Sequence, residues 1–213
     1  MKRYWLAIYG FFLVLFGVLG YLAHRFPTFP GDLPISLWLQ KLDLPFFHSK
    51  MVVLSFLGGD VPAAIIVTIV VICLWVTRKR PEAIFIAVLA STEAMLNWLL
   101  KQWIARPRPT GVEIWSNNTD ASFPSGHVVF VAVFYGFLCY LLPKLIKQRA
   151  AAVTLQAVSI LLIVFTGVSR IYLGAHWLSD ALGSLLLAGL LLAPAIVLYH
   201  NYRKTGVDHA RTA

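Results

Sequence analysis

Charge is scarce in this chain. Of its 213 residues only 13% are Asp, Glu, Lys or Arg, while 59% are hydrophobic. A soluble domain of this length needs far more polar surface, so an ordinary soluble globular protein is excluded. Cysteine is nearly absent: Cys73 and Cys139 are the two in the chain, and both fall inside long apolar runs. Each is expected to act as a buried small apolar residue, and with no cysteine in a loop no disulfide is expected. Low-complexity segments and internal repeats are also missing. So is a small-residue cleavage site after the first apolar run, where His24, Arg25 and Phe26 stand instead. That argues against a cleaved signal peptide.

Long apolar runs are what the chain does have, and a bilayer-crossing helix needs ~20 such residues. Tyr4–Leu22, Val61–Thr77, Ala150–Ser169 and Ala181–Tyr202 contain no Asp, Glu, Lys or Arg; Ala83–Leu100 contains only Glu93, and Gly126–Leu142 is shorter but carries only His127 as a titratable ring. The fold class expected is therefore all-α integral membrane, six transmembrane helices in a single membrane-embedded domain over residues 1–213. A seventh, interfacial helix is expected in the first outer loop, where Ile35, Trp38, Leu39 and Leu42 recur at helical spacing between prolines. Trp38 would then sit at headgroup depth. Gly58-Gly59-Asp60 reads as a turn, with Asp60 as N-cap of the second span.

The net charge of +9 does not point to nucleic acid, because the cations lie between the spans and form no patch. They read as topology instead. Lys2, Arg3, Arg78, Lys79, Arg80, Lys144, Lys147, Arg149, Arg203, Lys204 and Arg211 fall on one side, eleven of the eighteen Lys and Arg. Arg25, Lys41, Lys50, Lys101, Arg106, Arg108 and Arg170 fall on the other. Cytoplasmic loops are enriched in Lys and Arg. Both termini should thus be cytoplasmic, and the loops at 23–60, 101–125 and 170–176 should face outward.

Three clusters on that outer side carry chemistry. Lys101 is followed after six residues by Arg108-Pro109; Phe123-Pro124-Ser125-Gly126-His127 opens the fourth span; Ser169-Arg170, five residues, His176, three residues, Asp180 joins the fifth span to the sixth. Lys101, Arg108 and Arg170 can neutralise a phosphate and the charge that gathers during its transfer. Ser125 and Gly126 at a helix start offer backbone N–H groups to an anion, and Gly126 permits close approach. His176 and Asp180 are four apart and share a helical face. Asp180 would accept one imidazole N–H, fixing the tautomer and leaving the other nitrogen as a nucleophile. His127, on a different helix, can protonate a leaving oxygen.

Each piece alone has a plainer reading. The cations could be ordinary span flanks, Ser125 an N-cap, His127 an interfacial residue, and His176–Asp180 a structural hydrogen bond. A metal site would have to use His127, His176, Asp180 and Asp120, beside three cations that repel a divalent ion.

Taken together, in this order and at these internal spacings, the clusters resemble the signature of the type 2 phosphatidic acid phosphatase superfamily. Every motif position is matched, by Lys101, Arg108, Pro109, by Pro124, Ser125, Gly126, His127, and by Ser169, Arg170, His176, Asp180. The resemblance implies His176 as nucleophile, Asp180 as its orienter and His127 as general acid. It also implies Lys101, Arg108, Ser125, Gly126 and Arg170 as the phosphate cradle, with no metal and no cofactor. The chain is similar to the membrane branch, in particular to small bacterial phosphatidylglycerophosphate phosphatases of the B kind. That implies a lipid phosphate substrate, with phosphatidylglycerophosphate, phosphatidate and undecaprenyl diphosphate as candidates. A lipid phosphotransferase using the same intermediate and a lipid-phosphate transporter are the rival readings.

Two charged residues are left over. Glu93, Asn97 and Lys101 share a helical face, which puts Glu93 ~12 Å below Lys101. There it either lines the pocket or ties helices together, the structural role being favoured. Arg106 is an additional cation beside the motif, placed to touch a headgroup or a lipid surface.

Overall fold

A computed structural model of the chain describes residues 2–42, 44–116 and 119–212. Among these residues there are eight helices and no strand: α1 (Lys2–Arg25), α2 (Asp32–Gln40), α3 (Phe47–Leu57), α4 (Asp60–Val76), α5 (Arg80–Ile104), α6 (Gly126–Leu145), α7 (Arg149–Tyr172) and α8 (Leu178–Thr212). Helices α1, α5, α6, α7 and α8 are each long and apolar enough to cross a membrane; α3 and α4, bent by 60° at their junction, make a sixth span when taken together. The expected all-α membrane architecture is thus the one observed, with five spans that stand alone and a sixth when α3 and α4 are counted as one. Of the cations used to orient the chain, Lys2, Arg3 and Arg211 lie outside the described side chains.

Helix α6 occupies the centre. Its residues Val128 to Phe134 are all buried, as expected for a helix apolar on every side and wrapped by neighbours. Val129, Phe134 and Phe137 pack with Ile86 and Leu89 of α5, with Leu187, Ala188 and Leu190 of α8, and with Phe16 of α1. Elsewhere large apolar side chains point outward: Phe11, Val14, Ile69, Ile72, Val88, Leu161 and Val164 are all exposed. Acyl chains are as apolar as leucine, so such faces carry no hydrophobic penalty in a bilayer. Cys73 belongs to this outward set. It is exposed on α4, not buried as expected, because the buried part of α4 is limited to Ala63.

Two features of the first loop differ from expectation. α3 is an additional helix, packed beside α7 through Met51 and Leu54. Asp60 is the first residue of α4 and not its cap; Gly59, extended at φ −72° and ψ 158°, holds the N-cap position without a side-chain bond. The break at Gly58-Gly59 is set by the neighbouring helix. A Cβ on Gly58 would stand 3.3 Å from the Cβ and Cδ2 of His127, so glycine lets the α3–α4 corner press onto that ring. The interfacial helix is present as α2, with Trp38 exposed and Leu39 buried, but its inward face also carries the buried polar residues Asp32 and Ser36.

At one end of the bundle the C-termini of α1, α5 and α7 meet the N-termini of α4, α6 and α8. Ala105, at φ 48°, takes the left-handed turn that ends α5 and releases the 105–125 loop. That loop is tied across the α7–α8 link by Trp115 N–H to the Leu173 carbonyl at 3.0 Å. Gly174 in the link has φ 65°, and a Cβ there would lie 2.1 Å from the Glu113 carbonyl oxygen, so the two segments touch only because this residue is glycine.

Candidate active site

The three sequence clusters converge at this end of the bundle. Lys101 leaves the last turn of α5, His127 the first turn of α6, Arg170 the last turn of α7, and His176 the short link before α8. With Gly126 and Asp120 they line one end of a cavity of about 1260 Å³. From there the cavity runs between α4 and α5, past Asn97 and Glu93, along apolar walls that include Val67, Val71 and Ala87. Glu93 is therefore a cavity-wall residue. The cavity is larger than the ~300–1,000 Å³ of an ordinary small-molecule pocket, and its apolar walls suit acyl or prenyl chains.

His176 is held by its link. Its Nδ1 lies 2.7 Å from the carbonyl oxygen of Ser122. A carbonyl can only accept, so Nδ1 carries the proton and Nε2 keeps its lone pair. Nε2 stands 3.4 Å from Nη1 of Arg108, at the cavity. The spacing of His176 and Asp180 predicts a direct carboxylate bond to the imidazole. The nearest Asp180 oxygen is instead 3.7 Å from Nδ1, too long for one. The reason is local: His176 precedes α8, so the pair does not share a regular helical face, and Asp180 binds the N–H of Trp177 at 2.9 Å and the hydroxyl of Ser122. Asp180 thus reaches His176 mainly through Ser122. Burial pushes the imidazole pKa down to about 4; the Asp180 carboxylate pulls the other way, and Arg170 and Arg108 reinforce the fall. A pKa so far below physiological pH favours the neutral ring, the form in which an imidazole nitrogen has a lone pair to offer.

Around Nε2 the cations are arranged unequally. Arg108 donates to the carbonyls of Ala175 at 2.7 Å and Asp120 at 2.8 Å, and pairs with the Asp120 carboxylate. Lys101 pairs with the same carboxylate and donates to the Ala121 carbonyl at 3.0 Å. Asp120 is half-exposed. Burial opposes its ionisation, but Lys101 and Arg108 outweigh that and hold its pKa at about 2. Arg170 donates one Nη to Ser55 of α3, while among the described residues its Nε and other Nη are buried with no partner. Unpartnered buried donors of a guanidinium are costly and call for an acceptor.

Gly126 is in the cavity wall, and its missing side chain also serves packing: a Cβ would lie 3.2 Å from Asn97 Oδ1. Ser125 precedes Gly126 and is not itself among the cavity-lining residues; its N–H donates to Ser184 Oγ at 2.8 Å, and its hydroxyl is buried without a partner among the described residues. Arg106 departs from expectation, being wholly buried and so open to neither a headgroup nor a lipid surface. Four residues in the site had no signal in the sequence: Ser122, Asp120 as a partner of two cations, Asp32 and Ser55. Among the described residues no three His, Cys, Asp or Glu side chains converge as metal ligands would.

A helical membrane bundle with three cations gathered beside a buried histidine defines a class, and the chain matches the PAP2 superfamily over residues 81–204, more than half its length. It belongs to that superfamily and is a membrane phosphatase of it. It is 29% identical over 190 residues to phosphatidylglycerophosphatase B of Bacillus subtilis (strain 168), covering 87% of this chain and 89% of the relative. Undecaprenyl-diphosphatase BcrC of the same organism is 27% identical over 133 residues, covering 59% of this chain and 64% of the relative. The crystal structure of the transmembrane PAP2-type phosphatidylglycerolphosphate phosphatase from Bacillus subtilis superposes with a TM-score of 0.77 at 24% identity, over 92% of this chain and 96% of that one. This last likeness concerns the fold.

Proposed function

We propose that the chain hydrolyses the phosphate monoester of a membrane lipid, phosphatidylglycerophosphate or phosphatidate, in two steps through a phosphohistidine. Nε2 of His176 attacks phosphorus and the P–O ester bond breaks. The leaving oxygen takes its proton from His127, which lines the same cavity. Water then attacks the phosphohistidine, His127 accepts its proton, the N–P bond breaks, and inorganic phosphate leaves. Lys101, Arg108, Arg170 and the N–H groups of the first turn of α6, from Gly126, hold the phosphoryl oxygens. No metal or cofactor takes part. The observation that carries this reading is His176, tied through Nδ1 to the Ser122 carbonyl with Nε2 turned to Arg108, at the end of a cavity with apolar walls. The 29% identical relative, which bears the name of a phosphatidylglycerophosphatase, supports the monoester over the undecaprenyl diphosphate that the name of BcrC suggests.

The decisive measurement is a rapid quench with substrate labelled in its phosphate. It should trap an acid-labile, base-stable phosphoenzyme that His176→Ala abolishes, with turnover that survives excess EDTA. A phosphoenzyme at another residue, or turnover restored only by magnesium, would overturn the mechanism. Comparing kcat/KM for phosphatidylglycerophosphate, phosphatidate and undecaprenyl diphosphate ranks the substrates, and labelled water in the released phosphate separates hydrolysis from phosphotransfer.

The single domain over 1–213 is proposed to lie in a bacterial plasma membrane with both termini cytoplasmic and the site on the outer face, on the strength of the cation asymmetry. Alkaline phosphatase fused within 105–125 should be active and fused after Lys147 inactive; the reverse pattern would invert the topology.

A further inference from the structure

Behind the imidazole lies a cluster that the three motifs do not explain. Arg106 has no exposed surface although it belongs to a loop. Its guanidinium sits 4.6 Å over the ring of Phe29. Nε donates to the Pro27 carbonyl at 3.2 Å, Nη2 to Asp32 at 2.9 Å, and Nη1 to Ser179 Oγ at 2.8 Å and to Asp180. Asp32, from α2, is equally buried. It accepts the backbone N–H of Ser179 at 2.9 Å, the Ser179 hydroxyl at 2.8 Å and the N–H of Phe29 at 2.9 Å. All three charges are sealed, and a buried charge stripped of its partner is strongly destabilising.

The contacts lead on to His176. One Asp180 oxygen takes Arg106 and the other takes the Ser122 hydroxyl. The Ser122 carbonyl takes the imidazole N–H, and the Ser122 N–H donates to the Arg106 carbonyl at 2.8 Å. Arg106 therefore grips Ser122 twice, through its backbone and through Asp180. We propose that Asp32 and Arg106 are positioning residues for phosphoryl transfer, holding His176 in its attacking orientation through Asp180 and Ser122. The proposal rests on His176 being the nucleophile. It makes α2, outside the three motifs, part of the catalytic apparatus.

Charge gives the proposal a signature that a purely structural role lacks. Without the charge of Arg106, Asp32 and Asp180 together favour a protonated His176. Without the charge of Asp32, Arg106 acts on Asp180 undivided and disfavours it. The other charged or titratable groups around the ring and its cavity are Asp60 of α4, Glu93 and Lys101 of α5, His127 of α6, Arg170 of α7, and Arg108 and Asp120 of the loop. None is altered by substitutions at 32 or 106, so opposite shifts would come from the buried pair.

The test uses the full chain in detergent with Asp32→Asn, Arg106→Gln and Arg106→Lys, the folded fraction of each being measured. In folded Asp32→Asn and Arg106→Gln, kcat should fall on the order of 10–100-fold with KM nearly unchanged, the scale known for outer groups that orient a metal-bound histidine, as expected when only transition-state stabilisation is lost. Phosphoenzyme formation should slow by the same factor. The acid limb of kcat/KM should move to higher pH in Arg106→Gln and to lower pH in Asp32→Asn, with Arg106→Lys recovering part of the loss. Should Arg106→Gln fail to fold, the near-isosteric Asp32→Asn decides. Wild-type phosphorylation rates in the folded variants, or a loss that merely tracks the folded fraction with the acid limb fixed, would overturn the proposal. Absence of phosphohistidine at His176 in the unaltered protein would instead defeat the nucleophile assignment.

Discussion

The Asp32–Arg106–Asp180 cluster and the Lys101–Arg108–Asp120 cluster use the same chemistry at the same end of the bundle, yet one is sealed and the other open. In the first, both ion pairs are almost wholly buried, and Ser179, Ser122 and Trp177 add donors to the two carboxylates. In the second, Asp120 is half-exposed and the neighbouring Arg170 keeps two nitrogens without partners among the described residues. A sealed network has one arrangement and fixes geometry. An open one can exchange its carboxylate for another anion. Acidic partners at this end of the bundle are thus not of one kind, and burial separates those locked into a network from those left open to exchange.

Three measurements would break or sharpen that contrast. The largest effect is expected at His127, on the open side. Protonating the leaving oxygen matters only when that oxygen is basic, and general acid catalysis is worth ~10²–10⁴-fold. His127→Ala should lose most of that factor on phosphatidylglycerophosphate and far less on nitrophenyl phosphate. An equal loss on both would make His127 a binding residue.

Next comes Arg170. Removing one donor from a site that stabilises developing charge costs ~10²–10³-fold in kcat, so Arg170→Met should fall in that range. Its thermal unfolding temperature should not drop, because the lost cation is incompletely partnered. Arg106→Met should behave oppositely, losing ~3–5 kcal/mol by leaving buried carboxylates unpaired. Similar stabilities for the two variants would erase the distinction between sealed and open.

The smallest effect is expected at Asp120. Asp120→Asn should tighten inhibition by vanadate ~2–5-fold, the scale of an exposed ion pair. With its pKa at about 2, below the usual carboxylate range, Asp120 stays ionised at any assay pH above that. The gain should accordingly be the same from pH 5 to pH 8, and any support this ion pair gives to the fold should be full above the ordinary carboxylate range, decline as pH falls below it, and be gone once pH has fallen through about 2. Weaker vanadate binding in the variant would show Asp120 to be a fixed part of the cradle.

Much of this was legible in the sequence. Six spans could be read because runs of about 20 apolar residues have few other fates. Lys101, Arg108, Gly126, His127, Arg170 and His176 could be read because they sit at fixed offsets and all line or face one cavity. Helix α3 was not legible: His48 and Lys50 interrupt its apolar pattern, and its contacts with α7 come only from the fold. The sealed cluster was hidden for a related reason. Arg106 lies 74 positions from both Asp32 and Asp180, and no spacing rule joins residues so far apart. Read alone, Arg106 was one more cation near a membrane; buried, it is the centre of a network.

The carboxylate of Asp120 lying across Lys101 and Arg108 also bears on selectivity. On the proposed function, an incoming phosphate would have to displace a competitor that is covalently attached and therefore always present at high local concentration. Free phosphate in the surrounding solution is dilute by that standard. A lipid whose tails lay between α4 and α5 would present its phosphate at a comparable effective concentration and would win the exchange. The same side chain would thus act as a threshold, turning away soluble anions and admitting those that arrive through the bilayer.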